Sequence, residues 1–360
     1  MDPFTYGLKV QQEFYERSMD TMSEMGVLPD YLDTMHSAEV GVTESEEVFR
    51  EHSVSLKHYP SDAEEETPLL VVPSMVNEDY ILDLHEGKSV IGTLQEEGHD
   101  VYMLDWGEPD RMEQSRKLGD YINRYLDDAV DAARERSDSE TVNILGYCMG
   151  GTMSAIYTSF HQDKVENLGL MASAFELDGT GGEVEEMGEY VDPEQLVDFY
   201  GNMPGELLDF GFQARDPVDN YVSKYFDLWD NRDDEEFVEF FGSMEQWLND
   251  PKDVPGEAYR KFVEDIYQEN KLMEDRMHVA TDGRRKERVE LGEIDVPVLQ
   301  ILGEYDDLVP PEASRPLNEK VASEDTEIME AGTGHVGLSV SGKTHAELWP
   351  EVAQWFSERS

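Results

Sequence analysis

From about residue 66 onward, short apolar runs alternate with longer stretches of helical periodicity. The runs are PLLVV (68–72), DVYMLDW (100–106), TVNIL (141–145), VENLGLMAS (165–173) and VPVLQILG (296–303). These short β-like runs read as strands. Between them KSVIGTLQEE, YINRYLDDAVDAARER and TMSAIYTSF repeat apolar residues at helical spacing. Strands that alternate with helices build a parallel sheet covered on both faces, so the expected class is α/β with a mostly parallel sheet. Two stretches depart from the alternation. Residues 1–50 read as an N-terminal amphipathic helical segment (QQEFYERSMDTMSEM). Residues 176–290 are acidic, aromatic and helical in pattern (PEQLVDFYGNM, VDNYVSKYFDLWD, DEEFVEFFGSMEQWL, GEAYRKFVEDIYQENKLM). The expected organisation is therefore a core of 51–175 and 291–360 with an inserted helical cap over 176–290. A separate docked helical domain is the alternative.

Charge changes the picture of the environment. The 360 residues hold 82 Asp+Glu against 28 Lys+Arg, a formal net charge of −54. The acids are spread along the chain. A polyanion of this kind repels nucleic acid and anionic membrane surfaces, so neither is an expected partner. In dilute buffer the charge also opposes the compact state. At 1 M salt the Debye length falls to ~3 Å and the repulsion is screened. The expected setting is the cytoplasm of an extreme halophile. Five Trp, 17 Tyr and 14 Phe, together with the apolar strands, do not fit a disordered acidic chain. No basic n-region with an apolar h-region opens MDPFTYGLKV, and no apolar run reaches a membrane span, so neither a signal peptide nor a span is expected.

The chain has one cysteine, which rules out an internal disulfide framework and a Cys-based zinc site. Cys148 lies in GYCMGG (146–151), directly after the TVNIL strand and before a helix. This G-x-C-x-G pattern is the nucleophile elbow of α/β-hydrolases with cysteine in the serine position. At a helix N-terminus a thiol becomes more acidic, and a nearby imidazole adds to that. GEYDDLVPP (303–311) follows the VPVLQIL strand and offers Asp306 as the acid, with Asp307 as the rival. AGTGHVG (331–337) follows the β-like TEIME and offers His335. The order Cys148, Asp306, His335 is the nucleophile–acid–histidine order of that fold. His345 reads as a surface residue at a helix start, and His161 as a charge at the end of the nucleophile helix. One oxyanion donor is expected from the backbone of Met149. The second is expected from VVPSMVNEDYILDL (71–84), through the amide of Met75 or Val76. No metal cluster or cofactor motif is visible.

A cysteine in this position suits acyl transfer. Loading an acyl group from a thioester onto a thiol is nearly isoenergetic. The stored thioester keeps the driving force to make an oxygen ester on an alcohol, provided water is kept out. A large cap would serve that exclusion. A thiol-dependent esterase or thioesterase of the dienelactone-hydrolase kind remains the enzymatic alternative, although such chains are usually smaller and lack an insertion of this size. The non-enzymatic alternative is an α/β-hydrolase fold used as a scaffold or binding module.

The blocks TPLLVVPSMVNEDYILDLHEGKSV, GHDVYMLDWGEPD, LGDYINRYLDDAV, NILGYCMGGTMS, GEYDDLVPP and GTGHVG resemble, in order, those of the poly(3-hydroxyalkanoate) synthases. The likeness is greatest to the catalytic subunit of the class III type. It covers roughly 66–175 and 290–340 and is weak over 1–50 and the insertion. It implies an α/β-hydrolase fold with Cys148, Asp306 and His335 as its triad. The implied substrate is a 3-hydroxyacyl-CoA, with CoA released, a growing polyester as product and no cofactor. It also implies a separately encoded accessory subunit and a location at polyester granules. Whether the chain forms a homodimer is left open.

Overall fold

The computed structural model describes residues 38–61, 67–213, 224–281 and 285–360. The amphipathic segment expected at the N-terminus lies mostly outside them. The described residues fall into two compact units. One holds 38–40 with 206–251, and the other holds 41–205 with 252–360.

The larger unit is built on one eight-stranded sheet. Its strands are β1 (Glu46–Glu51), β2 (Val54–Tyr59), β3 (Leu69–Val72), β4 (Val101–Asp105), β5 (Val142–Tyr147), β6 (Val165–Met171), β7 (Val298–Gly303) and β8 (Thr326–Ala331). They lie in the order β1-β2-β4-β3-β5-β6-β7-β8. β1 and β2 form a hairpin, and β2 pairs antiparallel with β4. All other neighbours are parallel. Every residue of β3, β5 and β7 is buried. That is why these strands read as continuous apolar runs, since helices cover both faces.

The span 1–50 read as helical, yet 46–51 is an edge strand. The local reason is EEVFREHSVSLKHY. Phe49, Val54 and Leu56 supply a strand pattern, and His52 takes a left-handed turn conformation (φ 58°). Three helices follow the expected strands: α1 (Val90–Glu96), α2 (Asp127–Ser137) and α3 (Met149–His161). α2 continues from a π-helical turn over Tyr121–Leu126. Helices over Glu183–Tyr190, Pro193–Tyr200 and Gly256–Phe262 pack in the sheet-bearing unit, the last running on into a π-helical turn at Val263–Gln268. The helix Glu235–Leu248 belongs to the smaller unit. The helical stretch expected over 176–290 is thus divided between the two units.

β3 has β4 on one side and β5 on the other; the chain steps from β3 to β4 and then crosses back over β3 to β5, so the direction of strand addition reverses at this point of the sheet. The carboxyl ends of β3 and β5 therefore open a crevice at a topological switch point. GYCMGG and VPSMVNED both emerge there.

Candidate active site

β5 ends at Tyr147, and Cys148 is the N-cap of α3 with φ 54° and ψ −122°. A non-glycine residue held in that region stores about 1–3 kcal/mol of backbone strain. Several contacts hold it there. The Cys148 N–H donates to Met171 O at 2.9 Å, and the Cys148 carbonyl accepts from Gly151 N at 3.1 Å. A Cβ at position 150 would collide with the carbonyls of Val72 and Pro73, and one at 151 with Ser173 Oγ. Both glycines are thus required by close approach. The thiol is half-buried.

Asp306 lies in the turn after β7 and is 2% exposed, whereas Asp307 beside it is exposed. The Asp306 carboxylate receives two bonds. Val309 N donates to Oδ1 at 2.8 Å, and His335 Nδ1 is 2.8 Å from Oδ2. With Nδ1 engaged, Nε2 is the His335 nitrogen left for Cys148, and the thiol is a side-chain hydrogen-bond partner of the imidazole. Burial alone would lower the His335 pKa. The Asp306 carboxylate and Cys148 overcome it and push it up to about 10. Tyr147 lies against the imidazole, ring centroids 5.3 Å apart. The three side chains singled out from the sequence are therefore brought together, and the Asp307 carboxylate makes no such bond among those described.

Met149 is the first residue of α3, and a first-turn amide has no partner within its helix. The loop after β3 runs alongside, as the Gly150 contacts with Val72 and Pro73 require. Val76 N donates to Ser74 Oγ at 3.2 Å, so it reaches an oxyanion only by sharing or releasing that bond. Met75, one residue earlier, is 3% exposed.

Two histidines differ from their sequence reading. His161 does end α3, but burial lowers its pKa and favours the neutral ring. It stacks on Tyr157 and pairs with Asn123 Oδ1 at 3.0 Å. His345 is half-buried, with Nε2 2.7 Å from Ser339 O. Sequence reasoning also missed two contributors. Trp106 donates from Nε1 to Pro73 O at 2.9 Å and fixes the loop after β3. Tyr267, in the π-helical turn, lies within electrostatic reach of Cys148, and burial is the main cause of its raised pKa. Neither carries a motif. A tryptophan right after a strand was the one available cue.

Among the described residues no helix is long and apolar enough to cross a membrane.

Comparison with known proteins shows the fold and the family. A family model described as alpha/beta hydrolase fold matches residues 67–340, and one described as the N-terminus of poly-beta-hydroxybutyrate polymerase (PhaC) matches 30–94. The poly(3-hydroxyalkanoate) polymerase subunit PhaC of Haloarcula marismortui is 50% identical over 370 residues, covering 100% of this chain and 77% of that one. Its counterpart from Thiocystis violacea is 37% identical over 349 residues, covering 96% and 97%. Among solved structures, a soluble variant of monoglyceride lipase from Saccharomyces cerevisiae aligns at a TM-score of 0.57 and 12% identity, covering 90% of this chain and 98% of that one. At such identity that likeness speaks to the fold alone. The sequence relatives carry more, and with the elbow, the sheet order and the full-length match in place, the chain belongs to the poly(3-hydroxyalkanoate) polymerase family, on an α/β-hydrolase fold.

Proposed function

We propose that this chain polymerises 3-hydroxyacyl-CoA thioesters into polyester through an acyl group held on Cys148. In this reading His335 Nε2 takes the thiol proton, and the Cys148 sulfur attacks the substrate carbonyl. The new C–S bond forms as the C–S bond to CoA breaks, and the imidazolium returns the proton to the leaving CoA sulfur. A 3-hydroxyl then gives its proton to His335 Nε2 and attacks an acyl thioester. The ester C–O bond forms, the C–S bond breaks, and the proton passes to the freed sulfur. Asp306 holds the imidazole by Nδ1 and offsets its positive charge. The amides of Met149 and of Met75 or Val76 would receive the oxyanion.

The observation that carries this reading is the 2.8 Å bond from His335 Nδ1 to a buried Asp306, with Cys148, on a strained elbow, acting on the same imidazole. Those helices of the insertion that lie in the sheet-bearing unit would act as a cap that excludes water, with Tyr267 within electrostatic reach of the thiol. The family likeness supports a separate accessory subunit and action at the granule surface. The test is incubation with 3-hydroxybutyryl-CoA in multimolar salt, beside Cys148→Ala, measuring free CoA and precipitable polyester together. Both products, lost together in the variant, are expected. CoA with soluble hydroxy acid alone would make the chain a hydrolase. If the lone chain is silent, the assay is repeated after co-expression with a class III accessory subunit, and continued silence there counts against the reading.

A further inference from the structure

Three carboxylates converge beside the loop after β3. Glu78 and Asp79 belong to that loop's end, and Asp105 is the last residue of β4. Their oxygens lie within 4.8 Å of one another. Such a cluster of acids calls for a cation, and the fold supplies one from the chain. Lys252 Nζ lies 2.6 Å from Glu78 Oε2, 2.9 Å from Asp105 Oδ1 and 3.8 Å from Asp79 Oδ1. Its side chain is 8% exposed. On the far side Lys57, from β2, lies 2.7 Å from Asp79 Oδ2 and 3.8 Å from Asp105 Oδ2. Burial works against a charged Lys252, but the carboxylates win and hold its pKa above the ordinary value.

What this cluster holds in place is the loop carrying the proposed oxyanion donors. At one end Trp106 grips Pro73 O. At the other, Lys252 binds Glu78 and ties it to Asp105, the residue before that tryptophan. The 74–77 stretch is thus clamped on both sides, its start resting on the nucleophile helix through Gly150. Lys252 opens the return of the chain into the sheet-bearing unit after 206–251. The same return is fixed by paired bonds between Met203 and Val254, at 2.8 and 2.9 Å, and by Gly205 N to Asp253 Oδ1 at 3.0 Å.

We infer that Lys252 is a positioning residue. Its ammonium is the resident cation of the Glu78–Asp79–Asp105 cluster, and it sets the height of the 74–77 loop against the Cys148 elbow. This rests on the reading of that loop as an oxyanion donor. Without the ammonium, Glu78, Asp79 and Asp105 lose the cation they share, Lys57 reaches only Asp79 and Asp105, and mutual repulsion drives the loop outward. Displacing a stabilising group by about 1 Å is enough to cost about 100-fold in turnover.

The experiment compares wild type, Lys252→Met, Lys252→Arg and Lys252→Ala in multimolar KCl, by CoA release from 3-hydroxybutyryl-CoA and by thermal melting, with and without millimolar CaCl2. In Lys252→Met kcat should fall about 10- to 100-fold with KM within about twofold, because only the transition state needs the donor. Lys252→Arg should recover part of kcat. Lys252→Ala vacates the cation position, so calcium should raise both its melting temperature and its kcat, and do neither in wild type. The inference is overturned if Lys252→Met keeps wild-type kcat, or if calcium leaves Lys252→Ala unchanged. The calcium-dependent melting reads the cluster without any turnover. A wild type that melts normally but releases no CoA would instead count against the functional reading and leave the cluster testable.

Discussion

Replacing Asp306 by Asn tests the site most sharply, because the change is nearly isosteric and the structure dictates its consequence. Two donors converge on the buried carboxylate, Val309 N–H on one oxygen and His335 Nδ1–H on the other, each at 2.8 Å. An amide side chain offers only one acceptor. If its carbonyl stays with Val309, its NH2 faces Nδ1, which must then accept. The ring proton moves to Nε2, the nitrogen needed as the base toward Cys148. If the amide flips, the buried Val309 N–H faces a donor, a mismatch worth about 1–3 kcal/mol. Either arrangement also removes the negative charge that holds the His335 pKa up. The expected loss in kcat is roughly 10³–10⁴-fold, its upper end being the roughly 10⁴-fold drop of a triad Asp→Asn change. That corresponds to roughly 4–5 kcal/mol of barrier. The assay is CoA release from 3-hydroxybutyryl-CoA in multimolar KCl, with a melting curve to confirm folding. Asp307→Asn is the matched control, since its exposed side chain should leave kcat within about twofold. Asp306→Asn working within about tenfold of wild type, or Asp307→Asn failing equally, would refute the assignment.

Cys148→Ser should lower turnover by at least about 100-fold while leaving the fold intact, because an alcohol beside the same imidazole is a far poorer nucleophile at neutral pH; near-wild-type rates would count against the thioester. The His335 pKa is raised above its unfolded value of 6.5, so the stability it adds is complete below about pH 6.5 and is lost as pH climbs through about 10. Melting temperature should therefore drop more steeply from pH 6.5 to 10 in wild type than in His335→Gln, and parallel curves would contradict this. Gly151→Ala should destabilise the fold and abolish activity together, because its methyl has only the space of Ser173 Oγ; the double variant with Ser173→Gly should recover part of the melting temperature. Dilution from multimolar salt to about 0.1 M, where the Debye length grows to ~10 Å, should unfold the chain under its −54 charge, and circular dichroism that stays native would refute this.

The five strands named from the sequence are the buried ones, and they were legible because burial on both faces forces unbroken apolar runs. β1 was not. It packs one face at an edge, and in EEVFRE the outward glutamates dominate the pattern. The triad residues were legible because each follows a strand in a glycine-bearing turn. The choice between Asp306 and Asp307 was not, since it depends on which carboxylate the turn points inward. The Lys252 cluster was invisible for another reason. It unites Lys57, Glu78, Asp105 and Lys252, distant in sequence, and in a chain with 82 acids no single carboxylate stands out. The division of the helical stretch at 206 and 251 also had no compositional mark, because the acidic aromatic pattern runs unchanged across both points.

The two margins of the sheet bear on how such a chain survives its medium. Concentrated salt strengthens apolar association and cancels long-range repulsion between molecules, so net charge alone no longer keeps copies apart. An open β edge is then the surface most ready to recruit another strand. In the sheet as described, β1 (EEVFRE) and β8 (TEIMEA) form those edges, and both carry exposed glutamates. A strand docking at the usual spacing of about 4.8 Å would bring its own side chains within contact range of them, inside the reach of screening. The carboxylates would have to shed water at both rims before any ladder could form. This barrier is local, so it persists in brine strong enough to silence the rest of the surface.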